Sequence, residues 1–223
     1  MNAQTRTLNF HGIGVPGPDI EPSERPYWIS VAFFDQLVDM LAQPNARHLF
    51  ITFDDGNRSD LEIAAPRLAN QGLEARFFVL SGRLERPGYL SPNDLTQLQQ
   101  MGFQIGSHGQ DHVNWAQLPA DQLKQEVRSS RQVLEKATGR SITEAAIPFG
   151  SYNRAVLTAL RDAGYQVAWT SDGGNMDPNR FLRPRLSVRN DMTLDYVRHA
   201  LFAPIPALRQ LRRSLAMARK RVM

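Results

Sequence analysis

Apolar residues recur along this chain in two rhythms. Short unbroken apolar runs alternate with stretches in which apolar residues return every three or four positions. The first kind predicts buried strands, the second amphipathic helices. Leu8-Asn9-Phe10-His11 is a first short strand. Residues 12–28 carry Gly12, Gly14, Pro16, Gly17, Pro18, Pro22 and Pro26 and read as a long loop. Ser30 caps a helix with the stripe Phe33, Phe34, Leu37, Val38 and Leu41, which ends at Pro44-Asn45. Residues 48–53 form the second strand. Ser59 is placed to cap the next helix, which reaches Gly72 with Pro66 straining its interior. Residues 75–80 are a strand. Ser91-Pro92-Asn93-Asp94 opens a helix that ends at Gly102. Strand 103–107, helix 120–138 stopped by Gly139, and strand 145–148 follow. A helix over 153–163 ends at Gly164, and residues 166–170 and 182–188 are the last strands. The repeating strand, loop and helix predict βαβ units, a parallel sheet and one α/β domain.

Composition narrows the class. The chain has 223 residues, 42% of them hydrophobic and 22% charged, enough for one domain with a substantial core. No apolar run approaches the ~20 residues that a membrane span needs. Met1 to Thr7 leads into no long apolar segment, so no secretory signal is expected and the location is read as cytoplasmic. The absence of cysteine excludes disulfides, thiol catalysis and thiolate-bound zinc. The net charge of +4 is concentrated at the end. Arg209, Arg212, Arg213, Arg219, Lys220 and Arg221 supply it, and without these six the balance is −2. The body is therefore not a nucleic-acid surface. Leu208, Leu211, Leu215, Ala218 and Val222 share a helical stripe beside those cations, so residues 204–223 form a basic amphipathic helix after a domain of residues 1–203. Two readings stay open: a terminal helix packed on the domain with its basic face in water, or peripheral contact with an anionic membrane.

The polar residues with chemistry in them stand at strand ends. The run Ile51-Thr52-Phe53 stops at Asp54-Asp55-Gly56. Inside a strand, adjacent carboxylates would point to opposite faces. At the end of a strand the chain can turn and bring both into one pocket, where their repulsion asks for a cation. The plain alternative is a turn that begins a helix. His108-Gly109-Gln110-Asp111-His112 spaces two imidazoles four residues apart, which share a face if the segment is a helical turn. With one Asp oxygen they make a His, His, Asp set with open coordination positions, suited to a catalytic zinc or similar ion. Otherwise they are two surface histidines on a loop. His11, Asp54, Asp55, His108 and Pro148-Phe149-Gly150 all fall at predicted strand ends, which in a parallel barrel lie on one rim.

Thr52-Phe53-Asp54-Asp55-Gly56, Ser107-His108 to His112 and Pro148-Phe149-Gly150 resemble the first three motifs of the polysaccharide deacetylases, carbohydrate esterase family four. The resemblance spans roughly residues 8–188. It implies a distorted (β/α) barrel with about seven parallel strands, a divalent metal, and hydrolysis of the N-acetyl group of an N-acetylated sugar. By position it implies Asp55, His108 and His112 as metal ligands and Asp54 as general base. It also implies the Phe149 N–H as an oxyanion donor within the Pro148, Phe149, Gly150 turn. The metal is expected to be zinc, with cobalt, nickel or iron as alternatives.

Two departures from the family pattern carry expectations. An arginine usual two residues before the motif's proline is Ala146 here, and Arg185 is a replacement or a surface residue. The family's late Leu-x-His is missing, whereas Leu8-Asn9-Phe10-His11 resembles the permuted arrangement of exopolysaccharide deacetylases that act on poly-N-acetylglucosamine. An amine leaving group needs a proton. With His108 and His112 on the metal, His11 is the expected general acid, His199 a helix residue, and His48 a structural residue at the far end. Residues 12–28 and 171–180 are expected to line the groove. Trp28, Trp115, Trp169 and Tyr152 either stack on sugar or pack in the core. The substrate is expected to be an intracellular acylated sugar, such as a lipid- or nucleotide-linked precursor. The alternatives are a formyl or cyclic amide as substrate, or an inactive carbohydrate-binding protein.

Overall fold

The computed structural model describes residues 5–222 of the chain. It is an α/β barrel. In chain order the elements are β1 (Thr7–Phe10), α1 (Val31–Leu41), β2 (Phe50–Asp55), α2 (Ala65–Asn70), β3 (Arg76–Val79), α3 (Pro92–Gln100) and β4 (Gln104–Ser107). There follow α4 (Ala120–Thr138), β5 (Glu144–Ala146), α5 (Arg154–Asp162), β6 (Val167–Thr170), β7 (Leu182–Pro184), β8 (Leu186–Ser187), α6 (Leu194–Phe202) and α7 (Ala207–Val222). Every ladder is parallel, in the order β7-β6-β5-β4-β3-β2-β1-β8.

The two edge strands of that order are successive parts of one extended stretch, parted at Arg185. β7 pairs with β6, and β8 pairs with β1. One stretch therefore closes the sheet on itself, which is how about seven predicted strands become eight. Pro184 has no N–H to give to a ladder. Arg185 bridges the gap instead, donating its N–H to the Thr170 carbonyl at 2.8 Å and accepting from Gly173 N–H at 3.0 Å.

Alternation sorts the strands into two faces. Leu8, Phe10, Phe53 and Phe77 face outward and join Phe34 of α1 and Phe103 in the core between strands and helices. Phe10 and Phe53 stack at 5.1 Å, and Phe53 and Phe77 at 4.7 Å. A smaller cluster of Phe78, Ala146, Val167, Trp169 and Met176 fills the barrel. At Gly106 a Cβ would lie 2.4 Å from the Phe78 ring, so this position on β4 has no room for a side chain. The barrel is thus plugged below its rim, and polar inward residues collect above the plug.

The helix starts follow the sequence in most places. Ser30 accepts the Phe33 N–H, Ser91 and Asp94 form a reciprocal capping box, and Gly139 ends α4 at φ 64°. Ser59 is a correction: its Oγ accepts the Ile13 N–H across the barrel rim rather than capping its own helix. The chain enters α2 through a π turn, Asp60–Ala64, immediately before Pro66. The wider turn accommodates a proline that cannot donate to the preceding turn.

The C-terminal helix packs on the domain with Arg209, Arg212, Arg219 and Arg221 exposed, but it does so by a mixed face and not by its leucine stripe. Among the described residues of α7, the half-buried ones are Arg213, Met217 and Lys220, at i, i+4 and i+7. Met217 packs on the main core, and Lys220 Nζ reaches Asp172 Oδ1 at 2.6 Å and lies 4.9 Å from the Tyr152 ring centre. Arg213 lies against Gly173 and Gly174, where a Cβ at Gly174 would approach it to 3.0 Å. The leucines point the other way.

Candidate metal and catalytic site

The strand ends deliver their side chains to one rim, as expected. β2 carries Asp54 inward by alternation, and Asp55 would by the same rule point out. Asp55 instead has φ 81°, and this turn brings its carboxylate round to the rim, where it is 2% exposed. Both carboxylates thus line the same cavity, and the left-handed backbone at Asp55 is what brings the second one there.

His108 follows β4 directly. His112 reaches the same place, but not on a helical turn as expected. Residues 108–114 are a loop, with Gly109 at φ 93° and His112 at φ 50°. Glu126 of α4 holds that loop by accepting the N–H groups of Gln110 and Asp111 at 2.8 and 2.9 Å. A Cβ on Gly109 would meet the same carboxylate at 2.8 Å, so the loop packs tightly on α4.

His108 Nε2 lies 3.5 Å and His112 Nε2 3.7 Å from Asp55 Oδ1. One donor atom from each of the three residues falls within 4.8 Å of the others. Both imidazoles are oriented from behind. His108 Nδ1 lies 2.9 Å from the Ala146 carbonyl, so it donates, and its Nε2 keeps a free lone pair. His112 Nδ1 lies 3.0 Å from Glu24 Oε1, and Glu24 is gripped by Arg83 through bonds of 2.6 and 3.1 Å. Asp55 Oδ1 is buried with no hydrogen-bond partner among the described residues. Two tautomer-fixed histidines facing an orphaned carboxylate oxygen fit a divalent cation.

Asp54 is held differently. Its oxygens accept from Arg185 Nη1 and Nη2, both at 2.7 Å, and from Asn9 Nδ2 at 3.0 Å. Arg185 is 1% exposed, so it is a buried partner and not the surface arginine of the alternative reading. Asn9 Oδ1 in turn accepts from Arg185 at 2.9 Å and Thr52 at 2.7 Å. Burial by itself would push the Asp54 carboxyl up. The charge of Arg185, with His108, the Arg185 hydrogen bonds and His11, outweighs it and holds Asp54 well below the usual carboxylate range. Glu24 is likewise pulled to about 2, its burial overcome by bonds to His112 and Arg83. Burial drives the His108 imidazole down, whereas at His112 the bond to Glu24 and the charge of Asp55 reverse that effect and raise it.

His11 Nε2 stands 4.0 Å from Asp54 Oδ2, beyond hydrogen-bond distance, with its ring 4.7 Å from that of Tyr27. Phe149 sits at φ 57° in the turn Pro148–Gly150, 59% exposed, its ring stacked 4.6 Å from that of His112. Pro148 and Gly150 are buried beneath it.

His11, Asp54, Asp55, His108, His112, Phe149 and Arg185 line one cavity of about 380 Å³. Ser23, Glu24 and Tyr27 from the first loop and Ser171, Asp172 and Gly173 from the later one complete it, as both loops were expected to do. Trp115 and Trp169, at 1% and 0% exposure, pack in the interior and do not reach the groove. Tyr152 is buried and donates to Asp172 at 2.9 Å, and Trp28 covers Gly12. His199 lies on α6, beside a different cavity. A cleft of about 510 Å³ at the opposite strand ends, around Arg76, Phe103 and Glu144, has no comparable cluster among its lining residues.

Glu24, Arg83 and Asn9 escaped the sequence reading. Asn9 did leave a signal, being a polar residue inside an apolar strand that must be satisfied where it is buried. Glu24 left none, because its partners lie far along the chain.

Comparison with known proteins bears on the family and the fold. The family profile described as polysaccharide deacetylase matches residues 42–168. A chitin deacetylase of Pestalotiopsis sp is 30% identical over 117 residues, 52% of this chain and 39% of that protein. Sequence relatives of this kind are spanned over about half their length. The structure of Streptococcus pyogenes deacetylase PplD in complex with acetate is similar with a TM-score of 0.77 at 19% identity, covering 91% of this chain and 99% of that one. IcaB from Ammonifex degensii gives a TM-score of 0.73 at 21% identity, covering 91% and 97%. At these identities the structures share the fold.

Proposed function

We propose, for a chain that belongs to the polysaccharide deacetylase family, that it hydrolyses the N-acetyl group of an N-acetylated sugar in a glycan or glycan precursor. The observation that carries this reading is the pairing of two differently prepared carboxylates. Asp55 faces two tautomer-fixed histidines, and Asp54, one residue away, is locked ionised by Arg185. Asp55, His108 and His112 would hold one divalent ion, with zinc the natural choice for two imidazoles and a carboxylate. When bound, that ion would polarise the acyl carbonyl and acidify water.

The chain's own groups then divide the proton work. Asp54 accepts the proton of the attacking water, its orientation set by the Arg185 fork and Asn9. The Phe149 N–H, fixed by its left-handed turn, is the donor to the developing oxyanion. His11 donates to the departing amine. It ends β1 on the same rim and makes no hydrogen bond to Asp54. Ser187 and Asn9 bracket the Asp54 side, and the exposed Phe149 ring offers an apolar face to a sugar.

The same relatives include enzymes named for chitin and for peptidoglycan N-acetylglucosamine, which supports an N-acetylhexosamine as the acylated unit. Acetate and formate release from a panel of N-acylated amino sugars, with chelator and with zinc, cobalt or nickel restored, tests the reading. Acetate release that needs metal is expected. Release of formate alone would move the protein to the alternative formyl amide chemistry, and no release from any sugar would overturn the proposal.

A further inference from the structure

The solvent side of α7 has no use in the site just described, and its composition is unusual for a surface. Leu208, Leu211, Leu215 and Val222 are 62, 56, 62 and 77% exposed. With Ala218 they fall at i, i+3, i+7, i+10 and i+14, one continuous stripe along the helix. Arg213, Met217 and Lys220, which dock α7 on the barrel, lie about half a turn round from it at 100° per residue. The helix therefore attaches by its mixed face and presents its leucines outward. No residue among 204–223 is acidic, and the exposed Arg212 and Arg219 border the stripe on one side with exposed Arg221 on the other.

We propose that the outward face of α7 docks on an anionic lipid bilayer and holds the active-site cavity, which Arg213 of α7 lines, beside its surface. An apolar stripe bordered by arginines matches the boundary of acyl chains and anionic headgroups. The charge argument also selects this occupant over a second copy of the chain. An isologous pairing of the stripe would set Arg212 and Arg219 of both copies along one seam, with no acid on either helix to answer them. The helix lies on the bilayer and does not enter it as a span, since among the described residues no helix is long and apolar enough to cross one.

The position of α7 gives the docking a purpose. Arg213 lines the active-site cavity, and Lys220 pairs with Asp172 on its wall. A bilayer met by the opposite face lies one helix diameter, roughly 10 Å, from that wall. If the deacetylase reading holds, the acylated sugar is met at headgroup level, as a glycan carried on lipid would present it.

Vesicle flotation tests the docking without reference to catalysis. The full chain is mixed with phosphatidylcholine vesicles, or with vesicles in which about one lipid in three is phosphatidylglycerol, at low and high salt. Flotation only with the anionic vesicles, weakened by salt, is expected. The double variant Leu211→Glu/Leu215→Glu should lower the bound fraction at least roughly tenfold. Arg212→Glu/Arg219→Glu should remove the preference for anionic lipid. All four positions are exposed, so both variants should keep the wild-type circular dichroism and the wild-type rate on a soluble acylated sugar. Equal flotation of wild type and variants, or none for wild type, overturns the docking. So does a concentration-dependent dimer in sedimentation that Leu211→Glu/Leu215→Glu dissolves while lipid binding is absent. Loss of soluble activity in the wild type would refute the catalytic reading alone and leave the flotation result standing.

Discussion

Replacing Arg185 by methionine isolates the more deeply buried of the two arginine–carboxylate pairs in the site. The variant keeps most of the side-chain volume and removes the fork that holds Asp54 at two distances of 2.7 Å. Arg185 and Asp54 are 1% and 3% exposed, so solvent cannot substitute for the lost partner. Stranding a buried charge in this way costs about 3–5 kcal/mol. In a domain of this size each kcal/mol moves Tm by about 2–4 °C, so Arg185→Met should melt roughly 6–20 °C lower. Adding Asp54→Asn removes the stranded charge, and the double variant should recover at least about 2 kcal/mol relative to additivity. Urea unfolding in the presence of chelator measures all four proteins without a bound ion. The pH dependence has a definite sign. In the wild type the Asp54 carboxyl is held low, so its stabilisation is full above the ordinary carboxylate pKa and is lost as pH falls below it. In Arg185→Met burial dominates and raises the same group, so the variant loses stability as pH climbs through and above that range. The gap between the two proteins should therefore widen from acid toward neutral pH. Single and double variants that add to within about 0.5 kcal/mol at pH 7 would refute the pairing argument.

Glu24→Gln should weaken metal binding about 10- to 100-fold by loosening His112, read by competition with a chromogenic chelator, while leaving the fold intact. Because Glu24 is held at about 2 rather than its ordinary 4.5, the stability it contributes is present above pH 4.5 and fades as pH falls toward 2. Acid titrations of wild type and Glu24→Gln should converge there, and parallel curves would exclude the pairing as the cause. His11→Ala should retain the metal and lose roughly 10²- to 10⁴-fold in kcat, while His199→Ala changes little; a His11→Ala enzyme of near wild-type kcat would unseat the acid. Gly106→Ala forces a methyl to within 2.4 Å of the Phe78 ring and should cost about 1–3 kcal/mol by thermal unfolding, so an unchanged Tm would mean the plug is looser than drawn.

What was legible in the sequence was local. Strand runs, caps and the Asp54-Asp55 and His108 to His112 spacings each sit within a few residues, and neighbouring parallel strands place them on one rim without further instruction. The local geometry behind those spacings was not legible. The His112 loop needs left-handed backbone that α4 imposes through Glu126, and a four-residue spacing alone suggests a helix. Glu24 and Arg83 were invisible because a buried ion pair across 59 residues leaves no periodicity. The stripe of α7 was visible, but which side of the helix would dock was not. That choice is made by Asp172, Tyr152 and the bare backbone at Gly173 and Gly174, which receive Lys220 and Arg213.

The seam at Arg185 has a consequence for how the protein is made. The three candidate ligands Asp55, His108 and His112 arise from β2 and the end of β4, strands joined through β3 alone. A chain emerging from the ribosome has all of them in hand once the first half is out. The partner of Asp54 comes 131 residues after it, in the stretch that joins the two edges of the sheet. Chains fold from the N-terminal side during synthesis at about 5–20 residues per second, so the two halves of the chemistry are separated in time by several seconds. In that interval the ion-binding face can form while Asp54 has neither its arginine nor a closed barrel around it. On the proposed reading, the nascent chain would be able to capture an ion at Asp55, His108 and His112 before Asp54 has its arginine, and the last strand to arrive would complete the base.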